Sequence, residues 1–262
     1  MKIKKKSLKK KNKKNKITKK GSAFTPVKMK TALARRHPWS IHMPQDDEIM
    51  DLAPAEANIP EVDEIIDLSP EAIMHLMQAC EKGNATRVEE LLINANLNIQ
   101  DQNGFTCMMI ACAHGRENIV KLLINAGADV DIQEQFGLTC MMLACIKGVE
   151  KIVELLINAK ANLNIQDEYG NTCMMHACAH GHENIVKLLI NAKPNLNIQD
   201  MNGITALMHA CSNGNEKIVE LLIKAKADLN IEGKDGITSL MVAHEEEHEK
   251  IVELLKKAGA RR

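Results

Sequence analysis

Five glycines recur at intervals of 33 residues, and each is followed two places later by a threonine. The glycines are Gly104, Gly137, Gly170, Gly203 and Gly236. A fixed period of this length is typical of a chain built from copies of one supersecondary unit. Such a short unit cannot bury its own apolar face, so the copies are expected to stack into an elongated solenoid with one long surface. A surface of that kind suits binding better than catalysis.

Each copy has the pattern of two short helices. The threonine can cap a first helix, because apolar residues follow it, as in TCMMIACAHG at 106–115. After a glycine-centred turn comes a second helix with apolar pairs at helical spacing, for example Ile119 and Val120 and then Leu122 and Leu123. Connectors such as NIQDQNG at 98–104 contain Asn-Gly or Asp-Gly, which favours a tight hairpin turn. We therefore predict helix pairs, with a turn projecting from each.

These motifs resemble the ankyrin repeat, whose pattern runs D-x-x-G-x-T-P-L-H-x-A-x-x-x-G and then I-V-x-L-L-L and G-A-D-V-N over the same period. Residues 200–230 match it nearly throughout, and the likeness covers about 69–262. The resemblance implies an all-α ankyrin-repeat solenoid of stacked helix-turn-helix units with β-hairpin-like loops. We count six repeats, at about 69–100, 101–133, 134–166, 167–199, 200–232 and 233–262.

The sequence departs from the family pattern at regular positions. Methionine replaces the family histidine in all five regular copies, which puts the usual threonine–histidine hydrogen bonding in question. The glycine expected after the second helix is kept as Gly127 and Gly259. It is replaced by Lys160, Lys193 and Lys226. We expect strained or reshaped loops at these lysines, most of all where Lys193 precedes a proline.

Charge divides the chain into unlike parts. Residues 1–45 contain 16 Lys or Arg and no acid, whereas the remainder has 18 basic and 34 acidic side chains. A lysine block of this density is usually a disordered, solvated arm. A nuclear address bound by an import receptor, contact with nucleic acid or an anionic membrane, and folding back onto the acidic repeats are the functional alternatives. Residues 46–68 form an acidic and hydrophobic linker, in which DEIMDLAPAE (47–56) precedes a similar DEIIDLSPEA (63–72), either a docking motif or a fortuitous likeness.

Composition fits a protein of the cell interior. All eight cysteines fall within the repeats, where packing explains them. Equivalent positions in adjacent repeats lie roughly 8–10 Å apart, beyond the ~7 Å limit for a disulfide. No stretch approaches the ~20 apolar residues of a membrane span, and the lysine run does not lead into a secretory h-region. We expect a monomeric, cytoplasmic or nuclear protein.

Two histidine motifs suggest metal chemistry, and we favour a structural interpretation of both. His244-Glu-Glu-Glu-His248 satisfies H-E-x-x-H, but the repeat period places Glu247 at the turn, so the two imidazoles should not share one helix face. His176, Cys178, His180 and His182 form the other cluster, in which the cysteine occupies a packing position. No phosphate loop, dinucleotide fingerprint or nucleophile elbow occurs. We therefore expect no enzymatic activity, no metal and no cofactor.

The resemblance implies that a protein partner meets the turn tips and the exposed, concave face of the first helices, where the repeats differ. Phe136 and Tyr169 lead this set as aromatic anchors. The candidate tip residues are Gln102, Asn103, Gln135, Phe136, Glu168, Tyr169, Met201 and Asn202, and the helix residues are His114, Lys147, His180 and Asn213. The leading function is a non-catalytic scaffold or adaptor. The alternative is a nucleic-acid- or chromatin-associated protein that uses the basic arm for contact and the repeats for recruitment.

Overall fold

The computed structural model describes residues 70–92 and 96–261, apart from the side chains of Pro70 and Asp235. All regular structure within these residues is helical, as predicted. The first helices of the repeats are α1 Pro70–Lys82, α3 Cys107–Ala113, α5 Cys140–Lys147, α7 Cys173–Ala179, α9 Ala206–Ser212 and α11 Ser239–Glu245. The second helices are α2 Ala85–Leu91, α4 Glu117–Asn125, α6 Glu150–Asn158, α8 Glu183–Asn191, α10 Glu216–Lys224 and α12 Glu249–Lys257. A single 3₁₀ turn, Lys234–Gly236, precedes α11.

Threonine caps the first helix of every regular repeat, as the sequence predicts. Thr106 has an extended backbone, and its hydroxyl accepts a hydrogen bond from the N–H of Met109 at 3.3 Å. Thr139, Thr172, Thr205 and Thr238 repeat this arrangement at 3.3–3.4 Å. The bond goes to the backbone of the methionine that replaces the family histidine, so the cap does not depend on the side chain at that position.

The core runs continuously from repeat to repeat. First helices pack on first helices and second helices on second helices of the adjoining units. One leucine column, Leu123, Leu156, Leu189, Leu222 and Leu255, has no exposed surface at all. Because each of these side chains is fully buried, truncation to alanine is expected to cost about 2–5 kcal/mol. Burial between units therefore holds the array together.

The loops after the second helices keep their shape where lysine replaces glycine. Lys160, Lys193 and Lys226 have φ of 66°, 57° and 64°, in the same left-handed region as Gly127 at 84°. The lysine N–H at 160 still bonds to the carbonyl of Ile157, as Gly127 does to Ile124. The expected reshaping is therefore wrong, and the departure is taken up as backbone strain of about 1–2 kcal/mol per lysine.

Candidate partner-binding face

A carboxylate side chain, buried at Glu134 and Asp167 and half-buried at Asp101 and Asp200, fixes each of four turn tips. One oxygen of Asp101 accepts hydrogen bonds from the N–H groups of Asn103 and Phe105, both at 2.8 Å. Glu134, Asp167 and Asp200 hold the next three tips in the same way, at 2.7–2.9 Å. Charge-assisted bonds of this kind are about twice as strong as neutral ones. The tip backbone is therefore fixed before any partner arrives.

Backbone hydrogen bonds join adjacent tips into a chain that we call the tip ladder. Its four bonds run from Gln135 N to Asn103 O (3.2 Å), Glu168 N to Phe136 O (2.8 Å), Met201 N to Tyr169 O (2.9 Å) and Lys234 N to Asn202 O (3.0 Å). The glycine beside each rung is required, because its φ is near +80° and a Cβ at Gly137 would lie 2.9 Å from the N of Glu168. This close approach explains the invariant spacing of the glycines.

A second row of bonds, made by glutamine side chains, ties the same loops together. The amide nitrogen of Gln133 donates to Gly137 O in its own repeat at 2.7 Å and to Gln166 O in the next at 3.0 Å. Gln100, Gln166 and Gln199 do the same in their repeats. Two bonds from each side chain couple neighbouring tips, so the tips form one rigid edge. These glutamines lie in the connectors that lead to the tips, and their role was not predicted from the sequence.

The predicted tip side chains project from this edge to different extents. Gln102, Asn103, Gln135, Glu168 and Met201 are exposed, and Met201 is 61% exposed. Phe136, Tyr169 and Asn202 are half-buried. The two aromatic side chains are therefore partly packed against the array and only partly exposed to solvent. A ring already held in place loses less conformational entropy when a partner covers it.

The predicted residues on the first helices sit at the helix ends, where they also serve the fold. His114 Nδ1 lies 3.0 Å from Ile110 O, and His180 Nδ1 lies 2.9 Å from His176 O. Asn213 donates to His209 O and, across the repeat boundary, to Ala179 O, both at 3.1 Å. Lys147, His180 and Asn213 are exposed, while His114 is half-buried. The side chains of His114, His180 and Asn213 thus lie against carbonyl groups at the ends of the first helices.

A buried polar pair lies beneath the tips of the middle repeats. The second carboxylate oxygen of Asp167 is 3.0 Å from His176 Nε2, and the carboxylate side chain has no exposed surface. The sequence placed His176 in a cluster of histidines. In the structure its ring instead contacts Asp167, the carboxylate that also fixes the tip of the same repeat. The signal was available, because a histidine replaces the Ile110 or Leu143 of earlier repeats nine residues after an aspartate.

His209 occupies the next position of that column without such a partner. It is 8% exposed, and within the described residues its Nε2 makes no hydrogen bond. Its pKa is lowered to about 4, mainly by burial; the charges of His176 and His180 contribute to the lowering, and Asp167 opposes it. Burial also raises the pKa of Asp200. The imidazole of His209 is therefore neutral at physiological pH.

The structure separates the two histidines of the H-E-x-x-H motif. α11 ends at Glu245, Glu247 has a φ of 60°, and His248 precedes α12. His244 is exposed, whereas His248 Nε2 lies 3.3 Å from Ser212 O of the preceding repeat. The turn thus falls where the repeat period places it. In the described ranges no three His, Cys, Asp or Glu side chains are grouped to hold a metal ion. The rings of His180 and His182 stack at 5.9 Å.

Two sequence predictions lie outside the described residues. They are the disordered basic arm at 1–45 and the acidic-hydrophobic linker at 46–68. Across the part of the chain that is described, no helix is long and apolar enough to cross a membrane.

Comparison with known proteins places the repeats in a family. A model of ankyrin repeats matches residues 62–134, 118–200 and 193–261. The crystal structure of an ankyrin repeat domain from Acinetobacter baumannii AYE superposes with a TM-score of 0.68 at 32% identity, covering 71% of this chain and 98% of that one. Tyrosine-protein kinase HTK16 of Hydra vulgaris is 43% identical over 60 residues, 21% of this chain and 8% of the kinase. The chain therefore spans a small fraction of that kinase, and the match lies within the repeats. On the family match, the fold and the repeated framework, the chain belongs to the ankyrin repeat family.

Proposed function

We propose that the protein is a non-catalytic scaffold that binds a protein partner along the tip ladder and the adjoining ends of the first helices. Ankyrin repeats are in general protein interaction modules, and their fold is in general a non-enzymatic scaffold. The proposal extends this to named residues of this chain. We also propose that the protein is a monomer and that it lies inside the cell.

The observation that carries the proposal is a constant framework with variable side chains. The carboxylate under the tip, the glycine beside the rung and the bridging glutamine recur at each of four tips. The side chains that leave this framework differ: Gln102 and Asn103, Gln135 and Phe136, Glu168 and Tyr169, Met201 and Asn202. Four tips are therefore held alike while each presents different chemistry, as a recognition surface requires.

Phe136, Tyr169 and Met201 supply the apolar part of this surface. The ladder bonds Tyr169 O to Met201 N and Phe136 O to Glu168 N, so these residues lie at three consecutive tips and on two consecutive rungs. Aromatic residues and methionine are enriched in the cores of protein interfaces, with polar residues at the rim. Glu168, Lys147 and His180 would form such a rim. We propose these apolar side chains as the anchors.

A double variant, Phe136→Ala with Tyr169→Ala, tests the proposal. It should fold normally, because only side chains outside the ladder bonds are removed, and it should recover much less of the partner in quantitative pulldowns. Losing two anchors is expected to weaken binding by at least tenfold. Lys121→Ala with Lys217→Ala, both exposed on the second helices, is the matched control and should bind normally. Equal recovery by both double variants would remove the aromatic anchors from the proposal.

A further inference from the structure

The residue just before the turn between the two helices of a repeat changes in charge along the array. In the first four repeats it is a lysine or a histidine, in the fifth an asparagine, and in the last a glutamate. We call these positions the helix-end row: Lys82, His114, Lys147, His180, Asn213 and Glu246. A glycine follows each of the first five, and Glu247, with a φ of 60°, takes its place in the last repeat. The row is therefore basic at one end of the array and acidic at the other.

The fold does not require a basic residue at these positions. A lysine or histidine near the end of a helix can interact favourably with the last carbonyl groups. His114 and His180 do so through Nδ1, but Asn213 does the same through its amide at 3.1 Å. Glu246 occupies the position at the end of α11, where a carboxylate has no such advantage. The change in charge therefore points to a contact outside the helices.

The two lysines of the row have no acidic partner in the described part of the chain. Lys82 and Lys147 are exposed, and neither forms an ion pair there. Glu150 lies three residues after Lys147, but it accepts a hydrogen bond at 2.8 Å from a side chain of the next second helix. His114 differs from the lysines, since its Nε2 lies 3.9 Å from a carboxylate oxygen of Glu81. The two ammonium groups are thus available to carboxylates of a partner.

Each first helix joins one turn tip to one residue of the helix-end row. Lys147 lies eight residues after Thr139, the cap of α5, so the helical rise of 1.5 Å per residue places the row about 12 Å from the tips. Phe136 precedes the helix that ends at Lys147, and Tyr169 precedes the helix that ends beside His180. An edge with apolar side chains and a basic row therefore lie at opposite ends of the same first helices. Side chains alternate along an extended segment, so a segment between them would contact both.

The spacing of the row favours an acidic protein segment over nucleic acid. Neighbouring helices pack roughly 8–10 Å apart, and each such interval holds one residue of the row. An extended chain advances about 3.3 Å per residue, so acidic residues about three apart match this interval. A nucleic-acid strand carries a phosphate about every 3.4 Å, and the row would leave most of them unpaired. Glu246 repels further acidic residues, which limits the contact to the first four repeats.

We propose that the partner-binding face receives an extended acidic segment of the partner, with aspartate or glutamate about three residues apart against the basic part of the helix-end row. This inference rests on the proposed function, because it names the chemistry of the partner for the same face. Lys82 and Lys147 supply the permanent charges, while Phe136 and Tyr169 take apolar side chains of the segment. Electrostatic complementarity of this kind fixes the register of a complex and speeds its formation.

Selection of a phage-displayed random peptide library on the immobilised full chain tests this inference. Peptides recovered on the wild type should be enriched in apolar residues and in Asp or Glu about three apart. Synthetic copies, measured by fluorescence anisotropy, should bind Lys82→Glu with Lys147→Glu about tenfold more weakly, because repulsion replaces attraction at two positions. Lys121→Glu with Lys217→Glu, on the second helices, is the matched control and should bind as the wild type does. Since residues 1–45 are the same in both variants, they do not account for a difference between them.

Several results would overturn the inference. They are the recovery of no peptide, peptides without acidic enrichment, and acidic peptides that bind both charge variants equally. A single-stranded oligonucleotide that binds Lys82→Glu with Lys147→Glu more weakly, while peptide affinity is unchanged, would assign the row to nucleic acid instead.

The double variant Phe136→Ala with Tyr169→Ala separates this inference from the proposed function. If recovered peptides lose affinity for it but show no acidic preference, the proposed function stands and the inference fails. If acidic peptides bind it as they bind the wild type and still lose affinity for Lys82→Glu with Lys147→Glu, the inference stands and the aromatic anchors fail.

Discussion

Replacement of His209 by leucine should make the array more stable and less sensitive to acid. Leucine occupies the equivalent position in an earlier repeat, where Leu143 is 2% exposed. At neutral pH the variant loses a buried nitrogen without a hydrogen-bond partner, which otherwise costs about 1–3 kcal/mol. We expect a gain in unfolding free energy of that order.

The acid effect follows from the difference in pKa between the folded and unfolded states. The pKa of His209 is about 4 in the folded protein and 6.5 in the unfolded chain. The unfolded chain therefore binds the proton more tightly, and the wild type loses stability as the pH falls from about 6.5 to 4. The loss amounts to about 3 kcal/mol at 1.36 kcal/mol per pKa unit. Above pH 6.5 both states are neutral at this position, and the effect disappears.

Urea denaturation followed by circular dichroism at several pH values measures both effects. His209→Leu should show a higher midpoint at pH 7.5 and a much smaller decline between pH 6.5 and 4 than the wild type. His244→Ala, which removes an exposed histidine, is the control for changes in charge alone and should keep the wild-type decline. An equal loss of unfolding free energy in His209→Leu and in the wild type between pH 6.5 and 4 would refute the role assigned to His209. Any decline that remains in the variant belongs to other titratable groups.

Three further predictions concern the loops and the arm. Lys160→Gly should raise unfolding free energy by about 0.5–1 kcal/mol in thermal or urea unfolding, because it relieves a left-handed lysine. Gly137→Ala should cost about 1–2 kcal/mol more than Gly127→Ala, because a methyl group at 137 meets the N of Glu168 while one at 127 meets nothing within 4 Å. Equal losses would show that backbone conformation alone requires these glycines. Deletion of residues 1–45 should leave partner binding in pulldowns intact; loss of partner binding would argue that the basic arm takes part in it.

The sequence predicts those parts of the structure that depend on local, repeated chemistry. The period locates the helix pairs and the turn at Glu247, and the threonine caps follow from residue type and position. Capping and apolar spacing act within one repeat, so their effects recur wherever the residues recur. The repeat period also predicts the bend that separates His244 from His248.

Features that depend on contact between repeats were not predictable in this way. The bond of His176 to Asp167, the isolated nitrogen of His209 and the partial burial of Phe136 and Tyr169 depend on packing within and between neighbouring units. The lysine loops were expected to be reshaped, but the bonds around each loop hold lysine in the left-handed conformation.

Site-specific photo-crosslinking tests most directly whether the tip ladder is the surface that binds a partner. A benzophenone amino acid is placed at the exposed positions Gln135 or Glu168, and at Lys121 or Lys217 on the second helices as controls. After irradiation in native cell extract, we predict one discrete adduct from both tip positions, lost on addition of Phe136→Ala with Tyr169→Ala, and no such adduct from the controls. The same adduct from the second helices and not from the tips would place the binding surface on the opposite side of the array and contradict this account.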